Sequence, residues 1–213
     1  MSSSTATKRT SYHHGNLRRA LLDAGLELLA EKGVDGFTLR EVARRAGVSH
    51  AAPYHHFPDK GALVRAIVAE SFELLGTALA EASAGAGDEP FNRIRAMGLA
   101  YVEFALDHPQ RYRLMFRSEL SRSGDSEGAT DADAAGGTAF ATLMAAVQEA
   151  ADRGELRDGT DAGGAAVAAW ASVHGLASLI LEGSLGIRAD QRERARRLAG
   201  HVVGLAVDGV RRT

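Results

Sequence analysis

The chain has 213 residues, 45% of them hydrophobic and 24% charged, with no cysteine and a formal net charge of -2. That length suits one large helical unit or a small domain beside a larger one, and the composition excludes wholesale disorder. Without cysteine there is no disulfide framework, thiolate metal site or cysteine nucleophile.

The opening MSSSTATKRTSYHHGN lacks the apolar core of a signal peptide, and no later stretch reads as about 18 consecutive apolar residues. A soluble cytoplasmic protein with no membrane contact is therefore expected. Residues 1–70 carry 10 Lys and Arg against 7 Asp and Glu, with five of the eight histidines, whereas the remainder carries 15 against 20. A basic first third joined to an acidic body fits nucleic-acid binding at one end, although an excess of three charges is also within chance. Residues 1–11, Ser/Thr-rich with Lys8 and Arg9, read as a disordered arm able to reach phosphates or a minor groove.

From Asn16, an expected N-cap, Leu17, Ala20, Leu21, Ala24, Leu28 and Leu29 recur at helical spacing as far as a stop at Gly33. Thr38-Leu39-Arg40-Glu41 is a capping box and opens a second helix to about Ala46, with Leu39, Val42, Ala43 and Ala46 as its apolar stripe. Gly47 supplies a left-handed turn residue. Ser49 then caps a third helix through about His56, in which Pro53 lacks the amide for the first intrahelical bond and distorts the opening turn. Two short helices about a tight turn are the spacing of a helix-turn-helix.

Phe57-Pro58 ends that helix, and Asp59 caps a long one carrying Leu63, Val64, Ile67, Val68, Leu74, Leu75 and Ala78 to about Ala82. SAGAGDEP (83–90) reads as a linker and the best boundary in the chain. Beyond it come a helix bearing Phe91, Ile94, Met97, Tyr101, Val102, Phe104 and Ala105 that stops before Pro109, and a shorter one around Tyr112, Leu114, Met115 and Phe116. Residues 121–137 read as a mobile loop or frayed helix start, before Phe140, Leu143, Met144 and Val147 resume a helix to near Gly154. The last two helical patterns, about Ala162 to Glu182 and Asp190 to Val210, are rich in small residues (Gly175, Gly200, Gly204 and Gly209 among them), which allow close packing in a core or across a subunit interface. The fold class is all-α: an N-terminal three-helix helix-turn-helix domain (12–60), a connecting helix (61–82) and a larger helical domain (91–213).

Residues 12–75 resemble the N-terminal domain of the TetR/AcrR family of bacterial transcriptional regulators. The match is carried by TLREVARRAGVSHAAPYHHFPDK, in which Gly47-Val48-Ser49 leads to Tyr54, His56, Phe57 and Lys60. YHHGNLRRALLDAG and WASVHGL further resemble a subgroup with a C-terminal Trp-His-Gly segment, over about residues 91–210. The resemblance implies a homodimer that binds a double-stranded DNA operator, with a small-molecule pocket and dimer interface in the larger domain. Ser49, His50, Ala51 and Ala52 should then face base edges, and Thr38, Tyr54, His56 and Lys60 should contact phosphates. Hydroxyls and an ammonium suit phosphate, while His50 alone offers a strong base-reading group beside alanines that can meet thymine methyls. Pro53 departs from the commoner family residue.

Arg40, Arg44 and Arg45 are equally readable as phosphate ligands or a solvated face. Phe57 reads as core, with Tyr54 packing and extending its hydroxyl. Neither the His13-His14 nor the His55-His56 pair makes a chelating face, since neighbours on a helix point about 100° apart; no metal is expected. Trp170 and His174 share a helix face. With Met97, Tyr101, Phe104, Met115, Phe140 and Met144 they make either a largely apolar ligand pocket or plain core. No nucleotide loop, HExxH pair or serine elbow is present, so neither enzyme activity nor a cofactor is expected. The function implied is a repressor released from a palindromic operator by a small, largely apolar ligand; the alternative is a DNA-binding regulator controlled by a partner protein or acting without ligand.

Overall fold

A computed structural model describes residues 14–116, 131–187 and 191–212, so the arm expected over residues 1–11, and His13, lie outside the described residues. Among the described residues the elements are α1 (His14–Lys32), α2 (Leu39–Arg45), a 3-10 helix (Ala52–His55), α3 (Lys60–Gly85), α4 (Pro90–Asp107), α5 (Pro109–Met115), α6 (Asp131–Asp152), α7 (Ala162–Leu181) and α8 (Arg192–Val210). An isolated antiparallel bridge joins Leu156 to Arg211. The chain divides into two compact units, one ending at Ile67 and one beginning at Val68, so the division falls inside α3.

In the first unit α1 packs on α2 and α2 on the 3-10 helix. Leu21, Leu22 and Leu28 of α1, Val42 and Ala43 of α2, Phe57, and Leu63 and Ile67 of α3 fill its core. Gly25 lets α3 come close: a Cβ there would lie 3.0 Å from side-chain carbons of Leu63 and Ile67. Thr38 forms the expected capping box with Glu41, and Gly33 and Gly47 take the left-handed conformation at φ 73° and 69°. Two local expectations change. Asn16 lies inside α1, which begins two residues earlier. Ser49 caps no α-helix, because the chain over Ala52–His55 winds as a 3-10 turn with no side-chain cap. There the amides of Ala52, Tyr54 and His56 bond the carbonyls of Ser49, Ala51 and Pro53, each three residues back. Pro53 has no amide to give to the Ser49 carbonyl, and the tighter winding lets Ala52 give its own.

In the second unit α4 is central, packing against α5, α6, α7 and α8. Leu75 and Leu79 from the later turns of α3 join that core. The segment 83–90 is less of a linker than its composition implies, since α3 continues to Gly85 and α4 starts at Pro90. Residues 131–137, within the stretch read as a loop or frayed start, are helical. Gly136, a poor helix former, sits where a Cβ would meet the Phe72 ring at 3.3 Å, so packing on α3 offsets weak propensity. α7 also corrects the reading that no stretch is apolar enough to span a membrane: with a mean hydropathy of 1.6 it is long and apolar enough to do so. Here Ala166, Val173 and Ala177 of α7 are buried in the core.

Candidate functional site

The first candidate surface surrounds the 3-10 helix. Ser49, His50 and Ala51 are exposed, but Ala52 is turned inward with 9% of its surface left, and Pro53 is buried with it. Ala52 therefore faces the core instead of the position expected at a base edge, because the 3-10 winding rotates it inward. Tyr54 is 53% exposed, the one large hydrophobic side chain of the unit presented so fully among the described residues. The Lys60 ammonium lies 5.4 Å from the Phe37 ring centroid and the Arg18 guanidinium 5.7 Å from that of Phe57. In both the charged group itself lies over the aromatic face, where the ring quadrupole attracts it. His56 is only half-buried, yet its Nε2 is enclosed and meets no protein partner, so this nitrogen is poorly placed for a phosphate.

Thr38 is exposed and its hydroxyl is engaged with Glu41: it accepts the Glu41 amide at 3.3 Å and donates to Oε2 at 3.2 Å. The Lys32 ammonium, 2.6 Å from Glu41, and the Thr38 amide hold the Glu41 carboxyl below its usual range. The three arginines left open by the sequence separate. Arg45 makes a paired contact to Glu31, with two bonds of 2.7 Å, and so fastens α2 to α1. Arg40 and Arg44 are exposed and meet no carboxylate among the described residues. Two free cations therefore project from α2.

The second candidate is a small cavity of about 20 Å3 wholly within the second unit. Met97, Tyr101 and Trp170 of the expected pocket set line it, together with Leu79, Gly98 and Val203. Phe104, Met115, Phe140, Met144 and His174 do not. Phe104 and Met115 are buried in the general core, while Phe140 and Met144 pack against its edge. Phe140 presses edge-to-face on Trp170 at 5.6 Å, and Trp170 on Tyr101 at 5.0 Å.

Behind these rings lies a polar knot. Tyr101 Oη is 3.0 Å and Tyr112 Oη 2.9 Å from His174 Nδ1; Tyr112 also donates to the His174 carbonyl at 3.0 Å and reaches Ser178 Oγ at 3.2 Å. Burial pushes the His174 imidazole down, towards the neutral ring, and pushes both phenols up, so they stay protonated. Sequence reasoning missed Tyr112, Ser178 and Gly98. Tyr112 and His174 are 62 positions apart, and no local spacing rule joins them. Gly98 sits where a Cβ would come within 2.9 Å of Val203 Cγ2, a close approach that only the packing of α4 on α8 reveals. A buried arginine was missed too: Arg111 pairs with Glu70 at 2.8 Å and donates to Ser71 Oγ at 3.2 Å, tying α5 to α3. Among the described residues no cluster of His, Asp or Glu could hold a metal.

Residues 21–67 match the family of bacterial regulatory proteins named for tetR, and residues 94–202 match the tetracyclin repressor-like C-terminal domain. The HTH-type transcriptional regulator BetI of Burkholderia thailandensis is 40% identical over 82 residues, 38% of this chain and 42% of that protein, so the match covers less than half of the curated relative. A Rhodococcus sp. RHA1 protein with unknown function, 34% identical, covers 96% of this chain and 100% of its own, with a TM-score of 0.78. PfmR, a TetR family transcriptional regulator from Thermus thermophilus, is 20% identical, covers 88% of this chain and 97% of its own, and superimposes with a TM-score of 0.69. At that identity its likeness speaks for the fold alone. With family matches in both units, the second across half its length, the chain belongs to the TetR family of bacterial regulatory proteins.

Proposed function

We propose that the protein is a cytoplasmic homodimeric repressor that binds a palindromic operator and is released from it by a small, largely apolar ligand. The observation that carries this reading is the surface around the turn at Gly47, where His50, Ala51 and Tyr54 stand exposed beside the free cations Arg40 and Arg44. A turn segment with short side chains and flanking cations suits a major groove with phosphates on either side. In this reading Ser49, His50 and Ala51 meet base edges, and Thr38, Tyr54 and Lys60 meet phosphates, joined by Arg40 and Arg44. His56 supports the turn more than it touches DNA, and Ala52 fixes the turn from inside.

A second copy would cover the last two helices. Val167, Leu179 and Leu205 are exposed there, Leu205 by 76%, and a Cβ at Gly175, Gly200, Gly204 or Gly209 would meet nothing within 4 Å. Small residues with open space above them are not packing within the protomer, which favours the interface over the core for these positions. Twofold symmetry would set two recognition segments about 34 to 36 Å apart, or a multiple of that distance. A ligand in the second unit would act by preferring a dimer geometry in which that separation no longer fits, and the shift is bounded by its differential affinity for the two states.

Selection of bound DNA followed by affinity measurements across salt concentrations tests the reading. Lys60→Ala should weaken binding to all sequences about equally and reduce the salt slope by roughly one phosphate contact. His50→Ala should instead alter the preferred base at one position per half-site. If the two variants behaved alike, the division into phosphate and base contacts would be wrong; absence of any selected sequence would remove the regulator reading.

A further inference from the structure

Two buried rings stand at the two chain ends of the helix-turn-helix segment, and each holds a cation from outside it. Phe37 precedes the Thr38 cap and carries the Lys60 ammonium 5.4 Å from its centroid. Phe57 follows the 3-10 turn and carries the Arg18 guanidinium, which comes from α1, at 5.7 Å. Lys60 is already read as a phosphate contact, but the helix-turn-helix pattern assigns nothing to Arg18. We propose that Arg18 is the counterpart of Lys60: it meets a phosphate of the DNA backbone beside the end of the 3-10 turn, held in place for it by the Phe57 ring. This rests on the reading of the surface around Gly47 as the DNA-binding face.

Arg18 has kept its hydrogen-bond donors. One turn away on its own face of α1 stand His14, Gly15, Leu21 and Leu22, none of them acidic. The exposed Arg18 meets no carboxylate among the described residues. A ring face attracts the charge and uses no N–H, so the five donors of the guanidinium remain for an acceptor. Arg19 is the opposite case, since its Nε bonds both carboxylate oxygens of Asp23 at 3.1 Å. A phosphate at Arg19 would have to displace that carboxylate; at Arg18 it displaces only water. The ring also restricts a side chain that would otherwise sample many rotamers, so less freedom is lost on docking.

Phe57 fixes where that cation stands. Its amide bonds the Pro53 carbonyl at 2.8 Å, so the ring is tied to the 3-10 turn. The four residues of that turn span roughly 8 Å, less than the roughly 12 Å width of a major groove. With the turn in the groove, a cation bordering it stands at the rim, where the phosphate chain runs.

The test uses the full chain and the duplex it enriches from randomised DNA, with Arg18→Gln, Arg19→Gln and Arg18→Lys compared across salt concentrations. The two glutamine variants each remove one positive charge at adjacent positions, so a general loss of positive field would affect them alike. Arg18→Gln should flatten the slope of log affinity against log salt by roughly 0.9 for each protomer bound. Arg19→Gln should leave the slope unchanged, and so should Arg18→Lys, which keeps a charge over the ring. All variants should enrich the same sequence, because a phosphate contact carries no base information. Ethylation of one backbone phosphate for each protomer should weaken binding by the unaltered chain and make no difference to Arg18→Gln. Equal flattening by the two glutamine variants, flattening by Arg18→Lys as large as by Arg18→Gln, or an unchanged slope in Arg18→Gln overturns the contact and leaves the DNA-binding reading standing. If the unaltered chain enriches no duplex, that reading itself fails, and the contact falls with it.

Discussion

Around an apolar core, the polar ties of the unit ending at Ile67 lie near its surface, whereas the unit from Val68 adds buried polar ties to surface ion pairs such as Arg196–Glu103. In the first, Arg45 grips Glu31, Lys32 grips Glu41, and Thr38 caps α2, all in positions that water reaches. In the second, Arg111 is buried against Glu70, and Tyr101, Tyr112, His174 and Ser178 satisfy one another behind a layer of rings. Exposed pairs contribute little and weaken with salt, whereas a buried polar group that loses its partner is expensive. The contrast suits the proposed division of labour: a small unit whose surface charges stay available to a polyanion, and a larger one whose interior can register a ligand.

The contrast breaks most sharply at Arg111. Arg111→Ala should lower unfolding free energy by about 3 kcal/mol, because the largely enclosed Glu70, with 18% of its side chain exposed, loses the guanidinium at 2.8 Å. Chemical denaturation of the variant would show this, and a loss below about 1 kcal/mol would mean that water already reaches the pair. Thr38→Ala, its counterpart in the first unit, should cost about 1 kcal/mol, the usual worth of an N-cap hydroxyl. A loss equal to that of Arg111→Ala would erase the distinction between the units.

The smallest effect concerns pH. Burial lowers the His174 pKa in the folded state, so the unfolded chain takes up its proton first. This histidine's contribution is therefore fully retained above about pH 6.5, the unfolded value, and declines as pH falls from there towards the lower folded value. Melting curves at pH 7.5 and 5.5 should show a larger drop for the natural chain than for His174→Phe. An identical drop would place the imidazole in water.

What could be read in advance follows the same line between the units. The capping box at Thr38 and Glu41 and the left-handed Gly47 depend on neighbours within a few positions, so the residues themselves announce them. The family resemblance added the roles proposed for Ser49, His50, Tyr54 and Lys60, which no spacing rule supplies. Ser49 failed as a cap because Pro53, four residues on, changes the winding, and the inward turn of Ala52 follows from that. In the second unit the helices were legible from their periodicity, but the cavity was not. Met97, Tyr101 and Trp170 were recognisable as apolar or aromatic residues on helix faces, yet so were Phe104 and Met115, which are core. Only distance in space separates the two groups, and distance is what a linear chain conceals.

The 3-10 turn at Ala52–His55 bears on how fast and how selectively a partner would be engaged. A segment locked by a proline ring and anchored by a buried alanine has its backbone entropy, about 1 to 2 kcal/mol for each ordered residue, removed at folding. No disorder-to-order step of this segment would then be coupled to docking, so it should add to the heat-capacity change on association only through its contact area. Such a rigid contact tolerates substituted target sequences poorly, because it cannot remould itself around them.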